Sequence, residues 1–107
     1  MDIRIMQYYL AVVREGTISA AAEFLHVAQP SLSRQMKELE EELGVSLFVR
    51  GNRRITLTEE GVVLRRRAEE IVHLMQRTEE EYNVDYFQFI FLFSLGGVLR
   101  NFCFSSG

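Results

Sequence analysis

The chain has 107 residues, room for one domain and an appendage, and its 48% hydrophobic and 25% charged composition suits a folded core and excludes global disorder. A single cysteine, Cys103, excludes an internal disulfide and a multi-cysteine metal site, while seven glycines and one proline leave few points where long helices can break. The net charge of −3 is unevenly spread: residues 1–58 hold 7 Lys+Arg against 7 Asp+Glu, residues 59–83 hold 4 against 7, and residues 84–107 hold 1 against 1. For any anionic partner the local placement of Arg34, Lys37, Arg50, Arg53 and Arg54 therefore matters more than the sum. Met1–Gln7 has an early acid and no apolar core segment, so no secretory leader is expected and a cytoplasmic location is predicted.

Taken in chain order, Ile3, Met6, Leu10 and Val13 recur at spacings of three and four and predict an opening helix with one apolar stripe. Gly16 ends it and Thr17 can cap the next helix, Ile18–Leu25, where Ala20, Ala21 and Ala22 allow a neighbouring helix to approach closely. His26 to Ala28 form a short turn, and Gln29-Pro30 open a third helix with the proline early enough to be tolerated. On that helix Leu32, Met36, Leu39 and Leu43 share one face. Pro30, Arg34, Lys37 and Glu41 point away from it, with Ser33 at the edge. Because Glu38 and Glu40 to Glu42 crowd its second half, only its first two turns suit a polyanion. Gly44 closes it.

The period then changes. Leu47 to Val49 and Ile55 to Leu57 are short branched or aromatic segments around Arg50-Gly51-Asn52-Arg53-Arg54, and predict two strands joined by a basic turn, a wing. Thr58 caps a long helix over residues 59–82, whose first acids suit the positive end of the helix dipole. Leu64, Ala68, Ile71, Met75, Thr78 and Tyr82 follow a heptad spacing, a seam weakened by Thr78 that predicts pairing with a second copy. Arg65-Arg66-Arg67 lies beside Glu69 and Glu70, so helical pairing such as Arg65 with Glu69 is expected there in place of a nucleic-acid patch.

The ordered succession is specific: Tyr9-Leu10-Ala11-Val12-Val13, Gly16-Thr17-Ile18-Ser19-Ala20-Ala21-Ala22-Glu23-Phe24-Leu25, Val27-Ala28-Gln29-Pro30-Ser31-Leu32-Ser33-Arg34-Gln35-Met36-Lys37-Glu38-Leu39-Glu40, Leu43-Gly44-Val45-Ser46-Leu47-Phe48-Val49-Arg50 and Arg54-Ile55-Thr56-Leu57-Thr58-Glu59-Glu60-Gly61. It resembles the LysR-type transcriptional regulator family over residues 1–82, about three quarters of the chain. The resemblance implies a mainly α fold: a winged helix-turn-helix over residues 1–58, with the helix-turn-helix at 18–37, followed by a dimerisation helix at 59–82. It implies a dimeric, sequence-specific regulator of transcription that binds double-stranded DNA. Gln29, Pro30, Ser31, Ser33 and Arg34 would then line base edges, and Lys37, Arg50, Arg53 and Arg54 would hold the backbone. This division agrees with side-chain chemistry, since Gln can pair bidentately with adenine and Arg with guanine. Thr17 and Ser19, like Ser31, carry hydroxyls suited to phosphate oxygens. Leu64, Ala68, Ile71, Met75 and Tyr82 would make the seam of a homodimer, or of a higher oligomer.

Members of the family continue into a two-lobed effector domain, whereas residues 83–107 are an aromatic, apolar stretch without strand–helix alternation. The expectation is a truncated regulator lacking that domain, with no small-molecule co-inducer and no cofactor. The stretch 84–99 is shorter than the ~20 apolar residues that span a bilayer, so packing against the long helix or aggregation is expected before membrane contact. His26, His73 and Cys103 are far apart in sequence, and no nucleophile–base pair or phosphate loop is present, so neither a metal site nor an enzyme is expected. The alternative function is a dimerisation module that pairs with full-length regulators without regulating by itself.

Overall fold

The computed structural model describes residues 1–51 and 53–94, with side-chain surroundings through Tyr82. Among the described residues there are four helices, α1 (Ile3–Glu15), α2 (Ile18–Leu25), α3 (Gln29–Leu43) and α4 (Glu59–Ser94). The chain divides into two units, Met1–His73 and Leu74–Gly107.

In the first unit α1, α2 and α3 pack against one another, and local chemistry fixes each of their ends. Asp2 accepts from the Ile5 N–H at the start of α1, and Gly16, at φ +88°, stops it by donating its N–H to the Val12 carbonyl. The Thr17 hydroxyl oxygen then accepts from the Ala20 N–H, capping α2. His26, in the left-handed region at φ 59°, turns the chain out of α2, and Gly44 at φ 72° does the same after α3. The sequence places the Gly16 stop, the Thr17 cap, the turn at His26 and the Gly44 stop correctly.

Met6, Tyr9, Val12, Ala21, Ala22, Leu32, Met36, Leu39, Leu47, Phe48 and Ala68 form the core. On α1 the buried positions are Met6, Tyr9, Ala11 and Val12. The expected stripe is therefore turned by about one residue, with Leu10 and Val13 only half-buried. Tyr9 explains the rotation: its hydroxyl donates to the Gly61 carbonyl oxygen at 2.7 Å, and its ring meets Phe48 at 5.8 Å between centroids. Leu43 is 37% exposed, so the α3 core face ends at Leu39.

The two expected wing strands reduce to one antiparallel bridge, Phe48 with Leu57, supported by the Val49 N–H donating to the Thr56 carbonyl at 2.8 Å. The amides of Leu47 and Phe48 are directed to the Glu40 carboxylate, which leaves little ladder to extend. Gly51, at φ +91°, provides the turn.

The start of α4 is seated on the segment that enters the wing. Thr58 donates its N–H to the Leu47 carbonyl and its hydroxyl to the Ser46 carbonyl, and its Oγ1 accepts from the Gly61 N–H at 3.0 Å. A Cβ at Gly61 would strike the Leu47 carbonyl oxygen, so this close seating needs glycine. Leu64, Ala68 and Val72, four residues apart, face the core of the unit. Of the expected seam positions, Ala68 has no exposed surface and Leu64 is half-buried, both packed into the core cluster of this unit. On α4 the large apolar residues left exposed, among those whose surroundings are described, are Val62, Val63 and Ile71 in the first unit, and Leu74, Met75 and Tyr82 in the second. The expected pairing of Arg65 with Glu69 is replaced by Arg67 with Glu70 at 2.9 Å.

In the second unit the helix runs to Ser94, twelve residues past the expected end, and the Thr78 hydroxyl donates to the Leu74 carbonyl. The expectations for tail packing, aggregation and Cys103 lie outside the described residues. No helix among the described residues is long and apolar enough to cross a membrane.

Candidate nucleic-acid interface

The N-terminal end of α3 stands clear of the core. Ala28 supplies no side-chain cap and Pro30 has no N–H, so the first turn offers its unpaired Gln29 and Ser31 amides at the positive end of the helix dipole. Gln29, Pro30, Ser33, Arg34 and Lys37 are exposed, and Ser31 is half-buried. Leu32 and Met36, interleaved with them, are sealed in the core and fix the azimuth of the helix. Local partners orient this front. The Ser19 hydroxyl on α2 donates to Gln29 Oε1 at 3.0 Å, Gln35 Nε2 donates to Ser31 Oγ at 3.5 Å, and Arg34 Nε lies 3.8 Å from Glu38 Oε2.

Between α3 and the wing lies a groove of about 330 Å³. Ser33 and Lys37 line one wall, and Arg50, Arg53 and Arg54 the other. The wing is held from two directions. The Ile55 N–H donates to the Gly16 carbonyl at 2.7 Å, which ties its return limb to the turn between α1 and α2. The Arg54 guanidinium lies directly over Gly16, beside the Thr17 cap: a Cβ on Gly16 would fall 2.6 Å from Arg54 Nη2. Thr17 uses its oxygen lone pair on the Ala20 amide and keeps its hydroxyl proton to donate.

The structure brings Thr17, Ser19, Gln29, Ser33, Arg34, Lys37, Arg50, Arg53 and Arg54 into one unit, with cations and hydroxyls surrounding the front of α3. Sequence reasoning missed Glu40. It is 7% exposed, its Oε2 accepts from the Leu47 and Phe48 amides at 2.7 and 3.3 Å, and its Oε1 accepts from Arg50 Nη2 at 2.8 Å. The signal was available in its spacing, four residues after Met36 and next to Leu39, which puts it on the apolar side of the helix.

A family profile described as the bacterial regulatory helix-turn-helix protein, lysR family, matches residues 3–62, more than half of the chain. The chain belongs to the lysR family. Among curated relatives of this family, the HTH-type transcriptional regulator BsdA of Bacillus subtilis is 53% identical over 74 residues, which are 68% of this chain and 26% of BsdA. Among solved structures, the BenM DBD in complex with catB site 1 DNA superposes with a TM-score of 0.76 at 36% identity, covering 80% of this chain and 97% of that one. The crystal structure of CbnR, a LysR family transcriptional regulator, superposes with a TM-score of 0.71 at 40% identity, covering 77% of this chain and 28% of that one. The chain spans about a quarter of the length of the curated relatives it matches. These lysR-family relatives are transcriptional regulators rather than enzymes, and the matched portion includes the winged helix-turn-helix.

Proposed function

We propose that this chain binds double-stranded DNA with sequence preference, as the DNA-binding part of a cytoplasmic, homodimeric bacterial transcription regulator. The observation that carries the reading is the exposed polar front of α3 beside a groove walled by Lys37, Arg53 and Arg54. A helix enters the major groove with its first turns, and here those turns carry Gln29, Pro30, Ser33 and Arg34 with no core function to perform. Gln29 and Arg34 read bases, Ser33 and Pro30 fit the groove edge, and Thr17, Ser19, Ser31, Lys37, Arg53 and Arg54 hold phosphates. The exposed apolar residues Ile71, Met75 and Tyr82 on α4 join two copies. The alternative of a pure dimerisation module is not favoured, because the family match falls on the DNA-binding part.

The test is selection of duplexes from a randomised pool, followed by titration of the selected duplex over a range of salt. A consensus and a linear fall of log affinity with log salt are expected. Arg34→Ala should cost about 1–3 kcal/mol of binding and relax the consensus at the positions it reads, whereas Arg53→Ala should weaken all duplexes alike. Binding with neither sequence preference nor salt dependence would overturn the reading.

A further inference from the structure

Glu40 is the one buried charged side chain among the described residues, and it lies eleven positions along the same helix from Gln29. Its carboxylate takes the amides of Leu47 and Phe48, the two residues through which the chain passes from α3 into the wing. Phe48 forms the bridge to Leu57, and the Leu47 carbonyl receives the Thr58 amide at the start of α4. One acceptor-only group thus sets where the wing begins relative to the front of α3, and its second oxygen faces Arg50. Removal of Arg50 would leave an uncompensated carboxylate at the wall of the groove that holds Lys37, Arg53 and Arg54.

We propose that Glu40 is a positioning residue that fixes the wing against α3. We propose further that Arg50 neutralises Glu40 rather than DNA phosphate, leaving Lys37, Arg53 and Arg54 as the net cations of the groove. This departs from the sequence expectation that Arg50 holds the DNA backbone, and its second half rests on the DNA-binding reading above.

The experiment compares Arg50→Gln, the double variant Glu40→Gln with Arg50→Gln, and Arg53→Gln on the selected duplex over a salt range, using the full chain. Arg50→Gln should weaken binding about tenfold or more, since it unmasks a carboxylate. The double variant should return to within about threefold of the parent with the same salt slope, because the pair it removes is neutral. Arg53→Gln should lower the slope by about 0.9. A double variant no tighter than Arg50→Gln, with its slope lowered by about 0.9, would show that Arg50 holds phosphate and overturn that half.

Amide hydrogen exchange without DNA judges the positioning half separately. Leu47 and Phe48 should exchange at least about tenfold faster in Glu40→Ala and stay protected in the double variant, which keeps an acceptor. Unchanged exchange in Glu40→Ala overturns it. If Glu40→Ala loses the fold, loss of protection at both amides in the folded double variant does so instead. A parent chain indifferent to DNA sequence and salt sinks the DNA-binding reading and the Arg50 assignment together, and leaves this exchange result standing.

Discussion

At the front of α3, Gln29, Ser33 and Arg34 are exposed, and Arg34 meets Glu38 only at 3.8 Å. Eleven residues after Gln29, Glu40 is 7% exposed and accepts three hydrogen bonds, at 2.7, 2.8 and 3.3 Å. The same residue types, acid and arginine, are left available at one end of a helix and consumed at the other. The difference is burial: a carboxylate removed from water must be fully bonded, whereas an exposed guanidinium exchanges water for a partner at little cost. A helix built this way can lose its exposed front residues without losing its seat, and the comparison can be tested on that separation.

The largest effect is expected where two adjacent residues of α3 take opposite sides. Leu32 has no exposed surface and Ser33 is exposed. Leu32→Ala should cost about 2–5 kcal/mol of stability, and Ser33→Ala no more than about 0.5 kcal/mol, in urea unfolding followed by circular dichroism. Equal losses would break the comparison. Gly61→Ala comes next. In a helix this change ordinarily stabilises by up to about 1 kcal/mol, but here the new Cβ meets the Leu47 carbonyl oxygen and lies 3.1 Å from Leu57 Cδ2. The sign should reverse to a loss of about 1–3 kcal/mol, read as a lower urea midpoint.

Tyr9→Phe is expected to be milder. It removes the hydrogen bond to the Gly61 carbonyl at 2.7 Å and should cost about 0.5–1.5 kcal/mol. Burial pushes the Tyr9 phenol well above its ordinary value of 10.0, with a smaller raising effect from Glu40 opposed by Arg65. The folded state therefore favours the protonated phenol. Its contribution is complete below pH 10 and is lost as pH rises above 10 towards the folded value. Stability measured across that alkaline range should fall less steeply in Tyr9→Phe than in the parent.

The helix ends were legible because their chemistry is local: Gly16, Thr17 and Gly44 act on amides and carbonyls within four residues, and the Thr58 hydroxyl oxygen takes the Gly61 amide three residues on. The front of α3 was legible for a related reason, since the three- and four-residue spacing of Leu32, Met36 and Leu39 alone decides which side chains face outward. The rest depends on contacts distant in sequence. Tyr9 turns α1 by reaching Gly61, 52 residues away, and no periodicity within α1 records that bond. Ala68 fits a heptad seam and a core position equally well until α1 and the wing segment are in place. Glu40 has the spacing of the apolar side but stands among neighbouring acids, and its partners, the Leu47 and Phe48 amides, carry no side-chain signature that would single it out.

The smallest effect concerns the Arg67–Glu70 pair on α4, 2.9 Å apart with side chains 62% and 57% exposed. Water and salt already satisfy both groups in the unfolded chain, and holding two long side chains in one geometry costs rotamer entropy. A double-mutant cycle should therefore give about 0.2–0.5 kcal/mol. The value should vanish near 1 M salt, where the screening length is about 3 Å. The same cycle on Arg65 and Glu69 should give nothing measurable, since α4 pairs its charges at the three-residue spacing instead. The Glu40–Arg50 pair, whose acid is only 8% exposed although its arginine is 71% exposed, should keep more of its coupling in the same salt, because the carboxylate is largely withdrawn from water and tied to two backbone amides as well. If both cycles collapsed together on adding salt, burial would no longer explain why the Glu40 carboxylate behaves differently from an exposed acid.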